Sequence, residues 1–257
     1  MRSEQLYHHS FLADDVRDGD LFPVGGGMIG SSEMPWKTRI DYDTFYSKFE
    51  AAAQQQGVQF QSPAWQEWFA QACPDIDPAL ASALQTFTST FEPRRKLQTT
   101  SARERNATYA EATDNAPALS DIFNKNQAMC VEISLLAKKF LDQRGIPSRL
   151  FSGDMLPKLE EDGVHTPAAH TFLLLQHRGH DYIYDPANPT FRSNQAFFSL
   201  FKSSAPFDQH MDQLKSDCLM METRNIFTKA TRYYGVGDSG NVPETLFVHA
   251  KTAPAAP

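Results

Sequence analysis

The chain has 257 residues, of which 41% are hydrophobic and 12% aromatic, a composition typical of a globular protein that buries a substantial core. Its net charge of −7 argues against nucleic acid and anionic membrane as partners, because both attract basic surfaces. No stretch reaches the ~18 consecutive apolar residues of a membrane span, and the first twenty residues lack the apolar centre of a secretory signal. We therefore expect a cytoplasmic protein, with export by another route left open.

The three cysteines, Cys73, Cys130 and Cys218, are too few and too scattered for a disulfide framework or a zinc site. In a reducing compartment they are expected to remain free thiols. A lone cysteine is usually an inert core residue, so a reactive one needs further support from its surroundings. Only Cys130 has such surroundings.

Composition divides the chain into four predicted parts. Residues 1–40 form an irregular segment rich in Gly, Asp and Ser, residues 41–118 a helical region, residues 119–250 a core of helix and strands and residues 251–257 a disordered tail. The glycines of 25–30 (GGGMIG) lack the Gly-Lys-Ser/Thr sequence and the preceding strand of a phosphate loop. They indicate a flexible or packed loop.

Three helices are predicted after Asp41, each with an aromatic or aliphatic stripe that favours a core position. The first should stop at Gly57, and the second should start with Ser62 as its N-cap. The third should begin at Asp77 and end before Pro93. The polar segment 96–115 is typical of an exposed helix or a linker.

Cys130 is predicted to lie in the first turn of the next helix, with Asn126 or Asn124 as its cap. Gly145 should end this helix, because Pro147 forbids its continuation. The free N–H groups of a first turn and the positive end of the helix dipole stabilise a thiolate, the form in which a cysteine attacks. The predicted inward stripe comprises Met129, Ile133, Leu136, Ala137, Phe140 and Leu141.

Strand-like runs follow this helix: SRLFSG, then AAHTFLLLQ and HDYIYDP. If Arg178 and Gly179 form a two-residue hairpin turn, Phe172 lies opposite Asp185 and His170 is the diagonal neighbour of Asp185 on the same face. A register slip of one residue would put His170 and Asp185 on opposite faces.

The remainder of the chain is predicted to complete the fold. Residues 193–216 (NQAFFSLF, then PFDQHMDQL) look helical, whereas NIFTKATRYYGV and ETLFVHA look like strands between turns. These strands would complete an antiparallel sheet packed against the cysteine helix. The expected fold class is therefore α+β.

The run CVEISLLAKKFLDQRGIPSRLFSG, followed by AAHTFLLL and YIYDP, resembles the transglutaminase-like superfamily of papain-fold cysteine enzymes. The resemblance covers residues 124–190, about a quarter of the chain. Its features are an acid two residues after Cys130, the GIPSR motif beginning at Gly145 and followed by Gly153, His170 entering a strand, and Asp185-Pro186 ending the next. The resemblance implies a papain/transglutaminase-like core, with the nucleophile-bearing helix packed on an antiparallel sheet.

The resemblance also implies a role for each matching residue. Cys130 would be the nucleophile, His170 would take the thiol proton and later protonate the leaving amine, and Asp185 would orient the imidazole. The Cys130 backbone N–H and a second donor would bind the oxyanion. The candidates for that donor are Gln127, Asn126 and Asn124.

Two positions next to these residues concern the substrate walls. Members often carry Trp beside the cysteine, where this chain has Val131, and an aromatic residue two positions after the histidine, where this chain has Phe172. We expect Phe172 to contact substrate and the walls of any acyl tunnel to differ. The chain shows none of the acidic clusters of the calcium-activated enzymes, so no metal or other cofactor is expected.

The resemblance therefore implies a transglutaminase-like acyltransferase or hydrolase that acts through a thioester. Water would complete a deamidation or a peptide cleavage, as in a deamidase or thiol protease, and an amine would complete a transamidation. The expected substrate is a protein or peptide carboxamide, with an amine as the possible acceptor. An amide-forming enzyme of small-molecule biosynthesis and a non-catalytic binding protein on the same fold are the alternatives.

Structural interpretations of the same residues remain open. Cys130 and His170 would then be ordinary core residues, and Asp185 would only cap a turn. A metal site built from His165, His170, His177 and His180 is also conceivable, although His177 and His180 look like hairpin residues. Glu132 is expected to interact with the helix dipole or with substrate rather than to act as a base.

Overall fold

The computed structural model describes residues 11–24, 36–97, 102–156, 168–192, 194–204, 206–207 and 220–235. Six α-helices lie in these ranges: α1 (Tyr42–Phe60), α2 (Pro63–Ala72), α3 (Pro78–Leu97), α4 (Ala102–Glu111), α5 (Leu119–Asn124) and α6 (Cys130–Asp142). Five of the strands are β1 (Phe11–Ala13), β2 (Leu21–Pro23), β3 (Lys37–Arg39), β4 (Ser148–Leu156) and β5 (Ala168–His177). The others are β6 (His180–Tyr184), β7 (Thr190–Arg192), β8 (Gln195–Phe197), β9 (Leu200–Ser203), β10 (Met220–Asn225) and β11 (Thr231–Gly235).

Helix and antiparallel sheet together confirm the α+β class. The main sheet has the strand order β1-β4-β11-β10-β9-β6-β5, and β4 and β5 also pair with each other. The sheet therefore curls until these two strands meet, with every pairing antiparallel. Two small hairpins, β2–β3 and β7–β8, lie outside it.

Two predicted helix ends were wrong. Helix α1 continues through Gly57, which lies so close to Thr86 of α3 that an added Cβ would stand 3.2 Å from its Oγ1. Gly57 therefore permits close helix packing rather than ending the helix. Helix α3 runs through Pro93 to Leu97, and an ion pair of 2.8 Å between Arg95 and Glu92 spans the proline. The predicted start of α2, with Ser62 as its N-cap, is confirmed.

Helix α6 lies at the centre of the molecule. It packs on β4 and β5, and the Tyr42 hydroxyl of α1 donates to its Leu135 carbonyl at 2.8 Å. Residues on nearly all sides of α6 are buried, because the helical region covers the side that faces away from the sheet. Met129, assigned to the inward stripe, is instead 36% exposed.

The start of α6 also differs from expectation. Met129 is its N-cap, so the predicted cap at Asn126 or Asn124 was wrong. Asn124 is instead the last residue of α5. Asn126 has a left-handed φ of 54°, and its N–H bonds the Phe123 carbonyl at 3.1 Å, so it helps to end that preceding helix.

The hairpin of β5 and β6 has the predicted register. His177 pairs with His180 and Leu173 with Tyr184, where the pairing ends; the same register extended by one residue sets Phe172 opposite Asp185. Arg178 and Gly179 have φ values of 50° and 75°, as a type I′ two-residue turn requires. Gly179 supplies this conformation without the steric cost of a side chain.

The helix predicted at residues 193–216 was wrong for 194–204, although Phe207 is helical. Residues of NQAFFSLF form β8 and β9 instead. The side chain of Gln85 on α3 fixes this segment, since it donates to the Ala196 carbonyl at 3.0 Å and accepts from the Phe198 N–H at 3.3 Å. The run of adjacent apolar residues here fits a helix or a strand, so periodicity could not decide between them.

The last predicted strands were partly correct. TRYYG forms β11, whereas Ile226 to Ala230 turn between β10 and β11. The segments GGGMIG, ETLFVHA and 208–216, the residues Cys218 and His165, and the tail lie outside the described residues.

The helical region and the main sheet share one hydrophobic core, which α6 joins to both. A second, smaller cluster lies on the other face of the sheet. Its buried residues are Phe151, Phe172, Leu174, Ile183, Phe201, Phe207 and Tyr234. Within the described ranges, no helix has the length and apolar character to cross a membrane.

Candidate active site

Cys130 is the first residue of α6, and its thiol is partly exposed. The Glu132 carboxylate accepts the N–H of the N-cap Met129 at 2.9 Å, the reciprocal half of a capping box. The N–H groups of the first turn have no partners within an α-helix; the Met129 side chain accepts that of Glu132, and those of Cys130 and Val131 point towards this end. This placement agrees with the predicted position of a nucleophile.

His170 lies near the start of β5 and is only 6% exposed. It stands opposite Gly153 of β4, and its Nε2 is 3.0 Å from the Oδ2 of Asp185. The Cys130 thiol lies close enough to this imidazole to contribute to the rise in its pKa. Because Nε2 donates to Asp185, Nδ1 is the nitrogen available to the thiol.

Asp185 directly follows β6 and is fully buried. Its Oδ2 accepts hydrogen bonds from the Tyr234 hydroxyl and the Asn188 side-chain amide, each at 3.0 Å. The Asn188 backbone N–H donates to Oδ1 at 3.2 Å, and an Arg232 nitrogen lies 3.6 Å from Oδ2. This carboxylate is therefore well supplied with donors, as a buried charge must be.

The pKa values of His170 and Asp185 are shifted in the directions that favour an ion pair. Burial alone would lower the pKa of His170, but the charge and hydrogen bond of Asp185, with a smaller contribution from Cys130, raise it to about 10. Burial would raise the pKa of Asp185, but His170, Asn188 and Arg232 hold it below the ordinary value. At neutral pH the imidazolium and the carboxylate are thus both favoured.

Aromatic rings fix the position of the imidazole. The rings of Phe172 and Tyr234 lie 6.2 Å and 6.3 Å from that of His170, and they meet edge to face at 4.9 Å. Burial and the charge of Asp185 raise the pKa of Tyr234 well above its usual value, so its hydroxyl stays a donor. Phe172, predicted to contact substrate, is fully buried behind His170.

The three predicted oxyanion donors occupy different environments. Gln127 is 9% exposed, and its Oε1 has no hydrogen-bond partner. Asn126 is half-buried in the loop between α5 and α6, whereas Asn124 is exposed at the end of α5. Gln127 and Asn126 are thus the two candidates in the loop that leads to Cys130.

Glu132 is fully buried, so the expected contact with substrate is replaced by contacts within the protein. Its Oε1 accepts from Arg105 at 2.7 Å, Tyr109 at 2.6 Å and Thr38 at 3.2 Å. Burial would raise the pKa of Glu132, but Arg105 and these hydrogen bonds lower it. The predicted interaction with the first helical turn is present through Met129.

The segment 96–115, predicted as an exposed helix or linker, contains α4, whose Arg105 and Tyr109 are buried. Sequence reasoning missed these two partners of Glu132, and also missed Tyr234 and Arg232 beside Asp185. Only Asn188 had a local signal, since an amide three residues after an aspartate often closes a turn.

The histidines of the hairpin do not join the site. His177 accepts the Asp77 N–H at 3.2 Å and lies 3.3 Å from its carboxylate. Seven residues of β5 separate it from His170, a distance of roughly 23 Å along a strand. In the part of the chain that the structure describes, no group of three His, Cys, Asp or Glu side chains is placed to hold a metal.

Two large cavities lie at the far end of the sheet from His170. They have volumes of about 900 Å³ and 650 Å³ and share Pro147, Leu175 and Gln176 as lining residues. Neither is lined by Cys130, His170 or Asp185.

The structure thus brings Cys130, His170 and Asp185 together in the order thiol, imidazole, carboxylate. Such an arrangement can generate a thiolate, receive its proton and hold the imidazole in one orientation. Comparisons of the chain with protein-family models, curated proteins and solved structures gave no match.

Proposed function

We propose that this protein is a cysteine-dependent acyltransferase or amide hydrolase of the transglutaminase-like type, on a papain-like core. The single observation that carries the proposal is the placement of Cys130, at the start of α6, beside His170, whose Nε2 lies 3.0 Å from the buried Asp185 carboxylate. The α+β arrangement, with the cysteine at the start of a central helix packed on an antiparallel sheet, supports it.

The proposed reaction begins from a Cys130 thiolate beside a His170 imidazolium, the pair that results once the thiol proton has passed to the imidazole. The thiolate attacks the carbonyl carbon of a carboxamide, and the Cys130 backbone N–H stabilises the oxyanion. The tetrahedral intermediate collapses as the imidazolium protonates the leaving ammonia or amine, which leaves a thioester. Water or an amine then attacks the thioester, with His170 as the base, and returns the free thiol.

Asp185 supports both proton transfers. Its hydrogen bond to Nε2 fixes the tautomer that leaves Nδ1 towards the thiol, and its charge stabilises the imidazolium. Tyr234 and Asn188 in turn hold the carboxylate. We propose a protein or peptide carboxamide as the substrate, such as a glutamine side chain, with water or an amine as acceptor.

Mass spectrometry of candidate protein substrates, incubated with the enzyme and a labelled primary amine, tests this function. A gain of ~1 Da indicates deamidation, an amine adduct indicates transamidation and a cut chain indicates proteolysis. Each product should be absent with the Cys130→Ala variant. No product with any peptide library, together with a Cys130 thiol of ordinary reactivity, would favour a non-catalytic binding protein instead.

A further inference from the structure

A buried ion pair between two helices, α4 and α6, contacts the backbone next to Cys130. Arg105 of α4 lies 2.7 Å from Glu132 of α6, and their side chains are only 3% and 0% exposed. The Tyr109 hydroxyl and the Thr38 hydroxyl donate to the same carboxylate oxygen as Arg105 does. The hydroxyl of Tyr109 thus stabilises the carboxylate end of the pair, and its ring lies beneath the guanidinium at 4.9 Å.

Both members of the pair also bind the backbone that precedes the nucleophile. Arg105 Nη1 donates to the Gln127 carbonyl at 2.5 Å, and Glu132 Oε2 accepts the Met129 N–H at 2.9 Å. One contact therefore fixes the Gln127–Ala128 peptide and the other the Ala128–Met129 peptide, two consecutive peptides that lead to Cys130. The positions of these peptide groups determine the orientation of the first turn of α6.

Stability alone does not account for this arrangement. A buried ion pair is weak evidence for stability, since well-packed apolar residues of the same size often serve as well. The planar guanidinium of an arginine can, however, bind a carboxylate and a carbonyl at fixed angles, which an apolar side chain cannot. In the loop before α6, the Gln127 N–H bonds the Ile122 carbonyl at 2.9 Å, and the Arg105 and Glu132 bonds hold the peptides that follow it.

The same helix offers a comparison at its other end. Arg144 follows α6 and forms a bidentate pair with Glu50 of α1, with distances of 3.0 Å and 2.7 Å. Arg144 also donates to the Phe140 carbonyl at 3.1 Å and lies over the Phe140 ring, far from the thiol. Both pairs join the helical region to α6, but only the Arg105–Glu132 pair reaches the nucleophile loop.

We propose that Arg105 and Glu132 are positioning residues that set the Cys130 thiol against His170. The proposal rests on the proposed function and deepens it, because it makes α4 of the helical region a part of the catalytic apparatus. Glu132 touches neither substrate nor the reacting atoms; it acts through the Met129 peptide. Arg105 acts through the Gln127 peptide and through Glu132.

The test measures the second-order rate of Cys130 alkylation by iodoacetamide from pH 5 to pH 9, for the full chain and its variants. The variants are Arg105→Gln, Glu132→Gln, the double variant Arg105→Met/Glu132→Gln, and the control Arg144→Gln. Leaving one buried charge unpaired destabilises a protein, so thermal unfolding identifies any variant that fails to fold. The double variant leaves no unpaired charge and keeps the proposal testable.

We expect Arg105→Gln and the double variant to lower the alkylation rate at pH 7 by about 10- to 100-fold and to change its pH profile, since small displacements at a nucleophile have effects of this size. Glu132→Gln should retain most of the rate, because glutamine also accepts the N-cap N–H in a capping box. In turnover assays kcat should fall while KM stays nearly constant. Arg144→Gln should match the wild type in alkylation.

A folded double variant with the wild-type alkylation profile and wild-type kcat would overturn the proposal. An equal loss in Arg144→Gln would also overturn it, since the effect would then be general loosening of α6. If the proposed function itself is wrong, the result differs. Wild-type Cys130 would then react as an ordinary thiol and the wild type would turn over no substrate, whatever the variants do.

Discussion

The His170 imidazole and the Asp185 carboxylate lie 3.0 Å apart, although fifteen residues separate them in the chain. A single tight hairpin brings them together, and the carboxylate is fully buried. Because the pair holds an imidazolium in a protein interior, the chemistry of this site should depend on it strongly. The first predictions concern its members.

Cys130→Ala should abolish turnover and change the free energy of unfolding by no more than about 1 kcal/mol, since the thiol is small and partly exposed. Product formation by mass spectrometry and urea denaturation measure the two effects. Cys73→Ala, at a thiol that is buried away from the site, serves as the control for activity. Full turnover in Cys130→Ala would end the proposed mechanism.

The three thiols should differ in their reaction with iodoacetamide at neutral pH. Burial raises the pKa of Cys73 to about 12, so this thiol should stay unreactive in the folded protein. Cys130 should be labelled first, with a pH dependence set by its partner His170. Peptide mapping after brief labelling identifies the site, and a Cys130 rate no higher than that of free glutathione would contradict the proposal.

Asp185→Asn should lower kcat by about 10⁴-fold and leave a small residual activity. An amide cannot stabilise the imidazolium, and it offers His170 a donor where an acceptor is needed. Steady-state kinetics measure the loss, with circular dichroism to confirm that the variant is folded. A variant that keeps more than about a tenth of wild-type kcat would remove Asp185 from the mechanism.

Tyr234→Phe should reduce kcat by about 10-fold or more, because a hydrogen bond to a charged group contributes about 1.5–3 kcal/mol. The ring contacts with Phe172 remain, so the loss reports on the hydroxyl bonded to Asp185. The matched control is Tyr42→Phe, which removes another buried hydroxyl whose partner is a backbone carbonyl. Equal effects in the two variants would count against a specific role for Tyr234.

The stability of the fold should depend on pH through His170. Its pKa is raised from about 6.5 to about 10 in the folded protein. The pairing with Asp185 therefore stabilises the fold fully below pH 6.5, and this contribution is lost as the pH rises towards 10. Between pH 6.5 and 9.5 the free energy of unfolding of the wild type should fall by on the order of a few kcal/mol more than that of His170→Gln.

Urea unfolding of both proteins at several pH values measures this difference. The comparison removes the titration of tyrosines and of Cys73, which both proteins share. If the free energy of unfolding depends on pH in the same way in the wild type and in His170→Gln, then the pKa of His170 is not raised in the folded protein.

The sequence allowed the His170–Asp185 geometry to be predicted because it depends on local signals. The two-residue turn at Arg178-Gly179 fixes the register, and strand periodicity then assigns each residue to a face. Cys130 at the start of α6 was predicted for the same reason, from apolar periodicity and the helix stop at Gly145. Its cap was not predicted, because Glu132 can make the bond to Met129 only when Arg105 balances its charge.

The partners of these residues could not be predicted from sequence. Tyr234 is 49 residues from Asp185, and Arg105 is 27 residues from Glu132, so tertiary packing alone brings each pair together. The segment NQAFFSLF misled for a related reason. Its apolar residues are compatible with a helix or a strand. The strand is stabilised by Gln85 of a distant helix, which hydrogen-bonds the extended backbone.

The β5–β6 hairpin carries a consequence for the unfolded and newly made chain. Base and carboxylate lie on one short local element that can form within microseconds, whereas the thiol arrives only when α6 docks on the sheet. Before docking, Cys130 has neither a base nor its helix end, and reacts as an ordinary cysteine. Thiol activation is thereby made conditional on complete folding, which spares the growing chain the side reactions of an exposed thiolate.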